Sequence, residues 1–145
     1  MSRNARFRQQ LQHATLMHAM SAHNPLSARL AADAGFDAIW GSGFELSASY
    51  AVPDANILSA GQHLDMMRAI AAAIDIPVIA DIDTGFGNAI NVAYAVPQYE
   101  AAGVSAVVME DKTFPKDTSL RADGRQELVR TCLLYTSPSP RDVEE

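Results

Sequence analysis

A chain of 145 residues, 48% hydrophobic and 19% charged, has the composition of a folded globular domain, not of a collagen-like or low-complexity polymer. Its 17 acidic against 11 basic side chains leave a net charge of −6, which argues against nucleic acid or an anionic membrane surface as a partner. A single cysteine, Cys132, excludes an internal disulfide framework, and no run reaches the roughly 18 apolar residues of a membrane span. The N-terminus lacks the sustained apolar region of a signal peptide, so the expected compartment is the cytoplasm.

In chain order, residues 15–20 (TLMHAM) read as a first strand. Asn24 and Pro25 then open a helix as N-cap and first helical residue, and Gly35 closes it after Ala34. Residues 38–41 (AIWG) read as a second strand running into Trp40-Gly41-Ser42-Gly43-Phe44. Two glycines around a serine let backbone approach a ligand closely, although a simple turn explains them equally well. Asp54 falls in the following loop, where a turn aspartate is the ordinary reading.

Ser59 caps a helix over 61–73, with Leu64, Met67, Ile70 and Ala71 at helical spacing; Met66 and Met67 belong to its packing and His63 to its surface. Residues 77–82 (PVIADI), apolar on both faces, read as a buried third strand. A helix begins at Asn88 or Asn91 and ends at Ala102 before Gly103, with Pro97 expected to bend or break it. Residues 106–109 (AVVM) form a fourth strand. Strands alternating with helices imply βαβ units and a parallel sheet.

Reactive groups in such folds gather at the strand C-terminal ends. Asp81 and Asp83, two apart on a strand, should face the same side, and Glu110 after the fourth strand falls near them if the strands are neighbours. Crowded carboxylates repel one another unless a cation or proton intervenes, and oxygen ligands suit Mg²⁺ or Mn²⁺. The plainer reading makes them surface aspartates, with Asp83 capping the next helix. The histidines His13, His18, His23 and His63 have no metal-ligand spacing.

Three blocks, GFDAIWGSGFELSASYAVPDAN, IPVIADIDTGFGN and VVMEDKTFPKDTSL, resemble the phosphoenolpyruvate mutase/isocitrate lyase superfamily over residues 13–130, most closely its phosphonopyruvate-hydrolysing branch. The resemblance implies an α/β fold, the N-terminal half of a (β/α)8 TIM-type barrel, truncated; the complete barrel needs roughly 200 residues or more. It implies Mg²⁺, with Mn²⁺ or Co²⁺ as substitutes, held by Asp81, Asp83 and Glu110. Trp40, Ser42, Gly43, Phe44 and Ser119 correspond to substrate-binding positions. Asp54, Lys116 and Thr118 correspond to catalytic ones, Lys116 lying in a loop (112–120) that closes over substrate.

The C–C lyases of the superfamily carry a Lys-Cys-Gly-His motif where this chain reads Asp111-Lys112-Thr113-Phe114, which disfavours a lyase. The mutases carry Asn where Thr118 stands, which leans toward P–C hydrolysis of an α-keto phosphonate, with phosphoenolpyruvate mutase as the alternative. The implied partners are a small-molecule substrate and, for the full-length parent, further copies of itself. From Thr131 onward, TCLLYTSPSPRDVEE resembles translated adapter sequence, so the expected division is a partial barrel over 1–130 and an unrelated tail over 131–145. A non-catalytic fragment is the competing expectation for the 145 residues by themselves.

Overall fold

The computed structural model describes residues 2–13, 16–118, 120, 123 and 127–130. The expected tail, Cys132 within it, and the candidate Ser119 lie outside the described residues.

Four strands, β1 (Ala19–Ala22), β2 (Ala38–Gly41), β3 (Val78–Asp81) and β4 (Ala106–Val108), form one all-parallel sheet in the order β1-β2-β3-β4. Before and between them run the helices α1 (Arg3–His13), α2 (Pro25–Asp33), α3 (Gly43–Ser49), α4 (Ala60–Ala73) and α5 (Ala89–Ala101). Three helices start where local side chains satisfy their first amides. Asn24, Ser59 and Asn88 each accept from their helix's first turn, and Ser27, Gln62 and Asn91 return the bond.

The core lies between the sheet and its helices. Ile39, Val78, Ala80 and Ile82 of the sheet layer are fully buried, together with Met67 and Ile70 of α4. Gly41 lets α4 ride directly on β2, because a Cβ there would stand 2.3 Å from Met67 Sδ.

Several expectations need correction. The first strand occupies 19–22 instead of 15–20, because β2 offers partners only from Ala38, which pairs with Ala19. Asp37 then fixes the entry by accepting the His18 amide (2.8 Å). Pro97 lies inside α5 without ending it; the proline is on the exposed side, as is Ala93, whose carbonyl it deprives of a donor. The Trp40–Phe44 stretch is not a simple loop: Ser42 caps α3 by accepting the Glu45 amide (3.1 Å), and Gly43 is its first residue.

The helix α1 was not anticipated. Phe7 anchors it with 5% exposure, and the Arg3 guanidinium donates to the carbonyls of Ala71 (2.8 Å), Ile74 (2.9 Å) and Gly103. These carbonyls belong to the corners that lead into β3 and β4, so α1 sits at the end of the sheet opposite the carboxylates.

Candidate metal and catalytic centre

Where β3 ends, the chain makes a tight turn. Asp81 is the last strand residue; Asp83 lies in the turn with φ 51° and donates its amide to Asp81 Oδ1 (3.1 Å). The two carboxylates therefore converge because the backbone turns left-handed at Asp83, not because both alternate along a strand. The exit of β4 is stitched to this turn by the Glu110 amide, which donates to the Asp83 carbonyl at 2.7 Å. As a result, carboxylate oxygens of Asp81, Asp83 and Glu110 all lie within 4.8 Å of one another, the two aspartates buried and the glutamate half-buried. Asn88, not Asp83, caps α5, which removes the plainer reading of Asp83.

A cation is held among them. Lys116 is buried, and its Nζ lies 2.9 Å from Asp54 Oδ2 and 3.5 Å from Glu110 Oε1, while donating a short hydrogen bond to Asp83 Oδ1. Lys112 Nζ meets the other glutamate oxygen at 2.8 Å. Asp54 keeps its second oxygen, Oδ1, buried and free of hydrogen bonds among the described residues.

The electrostatics follow from this crowding. Burial pushes the Asp81 carboxyl up to about 6, and the neighbouring charges of Asp83 and Glu110 add to it against the Asp83 amide and Lys116. Burial raises Asp83 as well, with Lys116 opposing. Burial would raise Glu110 too, but Lys112 and Lys116 outweigh it and hold that carboxyl below the usual range. The Lys116 ammonium loses hydration on burial, yet Asp83 and Asp54 more than compensate and raise its pKa. Three hard oxygen donors whose charges are only partly balanced form a set that Mg²⁺ suits.

The remaining candidates surround this centre unequally. Ser42 is buried; Gly43 is buried against Asp83, whose Oδ1 would be 3.1 Å from a Cβ at that position, so a side chain there would crowd the carboxylate by a few tenths of an ångström. Trp40 is half-buried and Phe44 is 46% exposed. Thr118 is half-buried, and its hydroxyl accepts the Leu120 amide at 3.4 Å; among the described residues no hydrogen bond joins it to the carboxylates.

One residue of the site, Asn56, has no role in the sequence reading, and another, His63, is misplaced by it. Asn56 Oδ1 accepts from both Thr84 Oγ1 (3.3 Å) and the Lys116 amide (2.7 Å), tying the loops after β2, β3 and β4 together. Its place at the end of Val52-Pro53-Asp54-Ala55-Asn56 was the available signal. His63 is buried, not on the helix surface, because His63, Met67, Ile70 and Ala71 form the inward stripe of α4 and Leu64 lies beside it.

Residues 7–132 match the protein family described as phosphoenolpyruvate phosphomutase. The chain is 73% identical over 130 residues to the phosphonopyruvate hydrolase of Variovorax sp. (strain Pal2), covering 90% of this chain and 45% of that protein. It is 42% identical over 119 residues to the phosphoenolpyruvate phosphomutase of Tetrahymena pyriformis, covering 82% of this chain and 40% of the relative. Among solved structures, a phosphonopyruvate hydrolase complex with oxalate and Mg²⁺ superposes with a TM-score of 0.84 at 66% identity, over 92% of this chain and 45% of that one. The phosphoenolpyruvate phosphomutase of Streptomyces platensis subsp. rosaceus gives 0.85 at 48% identity, over 90% and 45%.

This chain thus spans less than half the length of these relatives. Its four parallel strands correspond to the N-terminal part of their TIM barrels. The matched residues carry the sheet, the converging carboxylates and the lysine that joins them, and the chain belongs to the phosphoenolpyruvate phosphomutase family.

Proposed function

We propose that this chain carries the metal- and pyruvyl-binding half of a Mg²⁺-dependent hydrolase that cleaves the P–C bond of phosphonopyruvate to pyruvate and phosphate. The observation that carries the reading is the convergence of Asp81, Asp83 and Glu110 within 4.8 Å at the ends of β3 and β4. The 73% identity to a phosphonopyruvate hydrolase, against 42% to a mutase, supports hydrolysis over isomerisation.

In this reading the three carboxylates hold Mg²⁺, which when bound supplies Lewis acidity toward the oxygens of an α-keto acid. Ser42 and the Gly43 amide bind the pyruvyl carboxylate, while Trp40 and Phe44 bound the same subsite. Water adds to phosphorus as the P–C bond breaks; the bonding pair passes to the methylene carbon as the pyruvate enolate, which a proton then quenches.

Asp54 takes the proton of that water, and its unpaired Oδ1 is the acceptor suited to the task. Lys116 offsets the charge that develops between phosphoryl group and carboxylates. Thr118, helped by Asp54, orients the attacking water toward phosphorus, and Ser119 binds substrate. Residues 1–130 make up this barrel half, and 131–145 stand outside it.

The test is phosphate and pyruvate release from phosphonopyruvate with Mg²⁺, run on the Variovorax hydrolase, on its equivalent of Asp54→Ala and on this chain. Equimolar products from the parent enzyme, and loss of turnover in the variant, are expected. From this chain, Mg²⁺ uptake by calorimetry is expected. Normal rates in the aspartate variant, or no ion bound here, overturn the assignment.

A further inference from the structure

The serine that caps α3 heads the run Ser42-Gly43-Phe44-Glu45, which has the spacing of a capping box. In such a box the residue three places on returns to the amide of the cap, as Ser27, Gln62 and Asn91 do for α2, α4 and α5. Glu45 does not. The Ser42 amide donates instead to the Ala22 carbonyl of β1 (3.2 Å), and the Glu45 side chain turns to the same strand end. Its Oε1 accepts from Ser21 Oγ at 2.6 Å, and its Oε2 meets His23 Nδ1 at 3.3 Å. A carboxylate only accepts, so Nδ1 is the donor of that pair.

With seven residues, α3 is too short to hold itself, so its tethers set its place. Leu46 is fully buried and anchors the helix in the interior. The Ser42 amide and both oxygens of Glu45 bind its first turn to residues 21–23. Ser21 pairs with Trp40 across β1 and β2, so the two side chains share one face of the sheet. Glu45 thus reaches from the helix that begins with Gly43 to the sheet face that bears Trp40. An exposed ion pair contributes little to stability, whereas this half-buried one is joined by the short serine bond and lies between residues that bound the pyruvyl subsite.

We propose that Glu45 is a positioning residue of the pyruvyl subsite: its carboxylate, gripped by Ser21 and His23, fixes α3 against β1 and so sets where Ser42 and Gly43 meet the carboxylate of an α-keto acid. This rests on the reading of Ser42 and Gly43 given above. Glu45 acts through the turn it holds. Releasing it shifts the Ser42 hydroxyl and the Gly43 amide together, while Asp81, Asp83 and Glu110 are carried by the exits of β3 and β4 and keep their places.

The experiment compares Glu45→Ala and Glu45→Gln with the parent in this chain, by calorimetry with Mg²⁺ alone and then with oxalate at saturating Mg²⁺. Oxalate presents the adjacent oxygens and the carboxylate of an α-keto acid. Glutamine can accept from Ser21 and donate to an Nδ1 whose proton has moved to Nε2; alanine can do neither. Oxalate should bind about tenfold more weakly to Glu45→Ala and near-parentally to Glu45→Gln, with Mg²⁺ affinity unchanged in both. A general loosening of the fold would instead weaken ion and oxalate together.

Parental oxalate affinity in Glu45→Ala, equal losses of Mg²⁺ and oxalate, or a glutamine variant as weak as the alanine one overturns the proposal. Should Glu45→Ala not fold, Ser21→Ala removes the shorter bond and must weaken oxalate likewise; unchanged affinity there also overturns it. Absence of oxalate binding by the parent would count against the pyruvyl reading itself, and amide exchange then decides the role of Glu45. Exchange at residues 42–46 must quicken in Glu45→Ala and not in Glu45→Gln; unchanged exchange in the alanine variant overturns the positioning role.

Discussion

Asp81 is the side chain whose ionisation most directly gates the site. Its carboxyl is pushed up to about 6, chiefly by burial, whereas an ion requires it deprotonated. One pH unit below that value only about a tenth of the group is ionised, so Mg²⁺ affinity should be about tenfold weaker at pH 5 than at pH 7.5, as calorimetry at the two pH values would report. The metal-free chain has the opposite sign in this contribution. The folded state holds a proton that the unfolded chain releases, so stability from Asp81 is greatest below about 4 and falls as pH rises through 6. That Asp81, Asp83 and Glu110 come near one another is legible from their places at the ends of neighbouring strands. The reason for their convergence is not, because a positive φ at Asp83 cannot be seen in alternation. Nor can spacing reveal that Lys116, 33 positions further on, returns to Asp83.

Among the elements, α4 links site and core. Its inward stripe begins with His63 behind the carboxylates and continues through Met67, which is fully buried over Gly41 of β2. Met67→Ala should therefore cost about 2–5 kcal/mol, visible as a lower urea midpoint with an unchanged slope. Helices α2, α4 and α5 were legible from their caps, since Asn24, Ser59 and Asn88 act on amides three residues or fewer away. The seven-residue α3 was hidden because Gly and Ser at its start read equally as a turn. Helix α1 was hidden for a different reason: its sequence is polar, and it is held by partners far away in sequence. The stripe of α4 is legible through Met67, Ile70 and Ala71, but its first turn is led inward by His63 and not by the more apolar Leu64, so hydrophobicity alone puts His63 on the wrong side.

At the scale of the whole molecule, chemistry and anchorage occupy opposite ends of one parallel sheet. The carboxylates, Asp54 and Lys116 gather where β3 and β4 end, while α1 closes the corners where those strands begin. Arg3→Ala should free α1 without disturbing the carboxylate cluster. The expected result is loss of amide protection in Arg3–His13 under hydrogen exchange, retained protection in the sheet, and a stability loss of about 2 kcal/mol. An equal loss of protection in β3 would mean that α1 and the sheet open as one unit.

The same guanidinium sets a timetable. Arg3 leaves the ribosome ahead of its acceptors, Ala71, Ile74 and Gly103, which are made 68 to 100 positions later. Helix α1 is consequently made before the corners it binds and can be pinned by Arg3 only once both have formed.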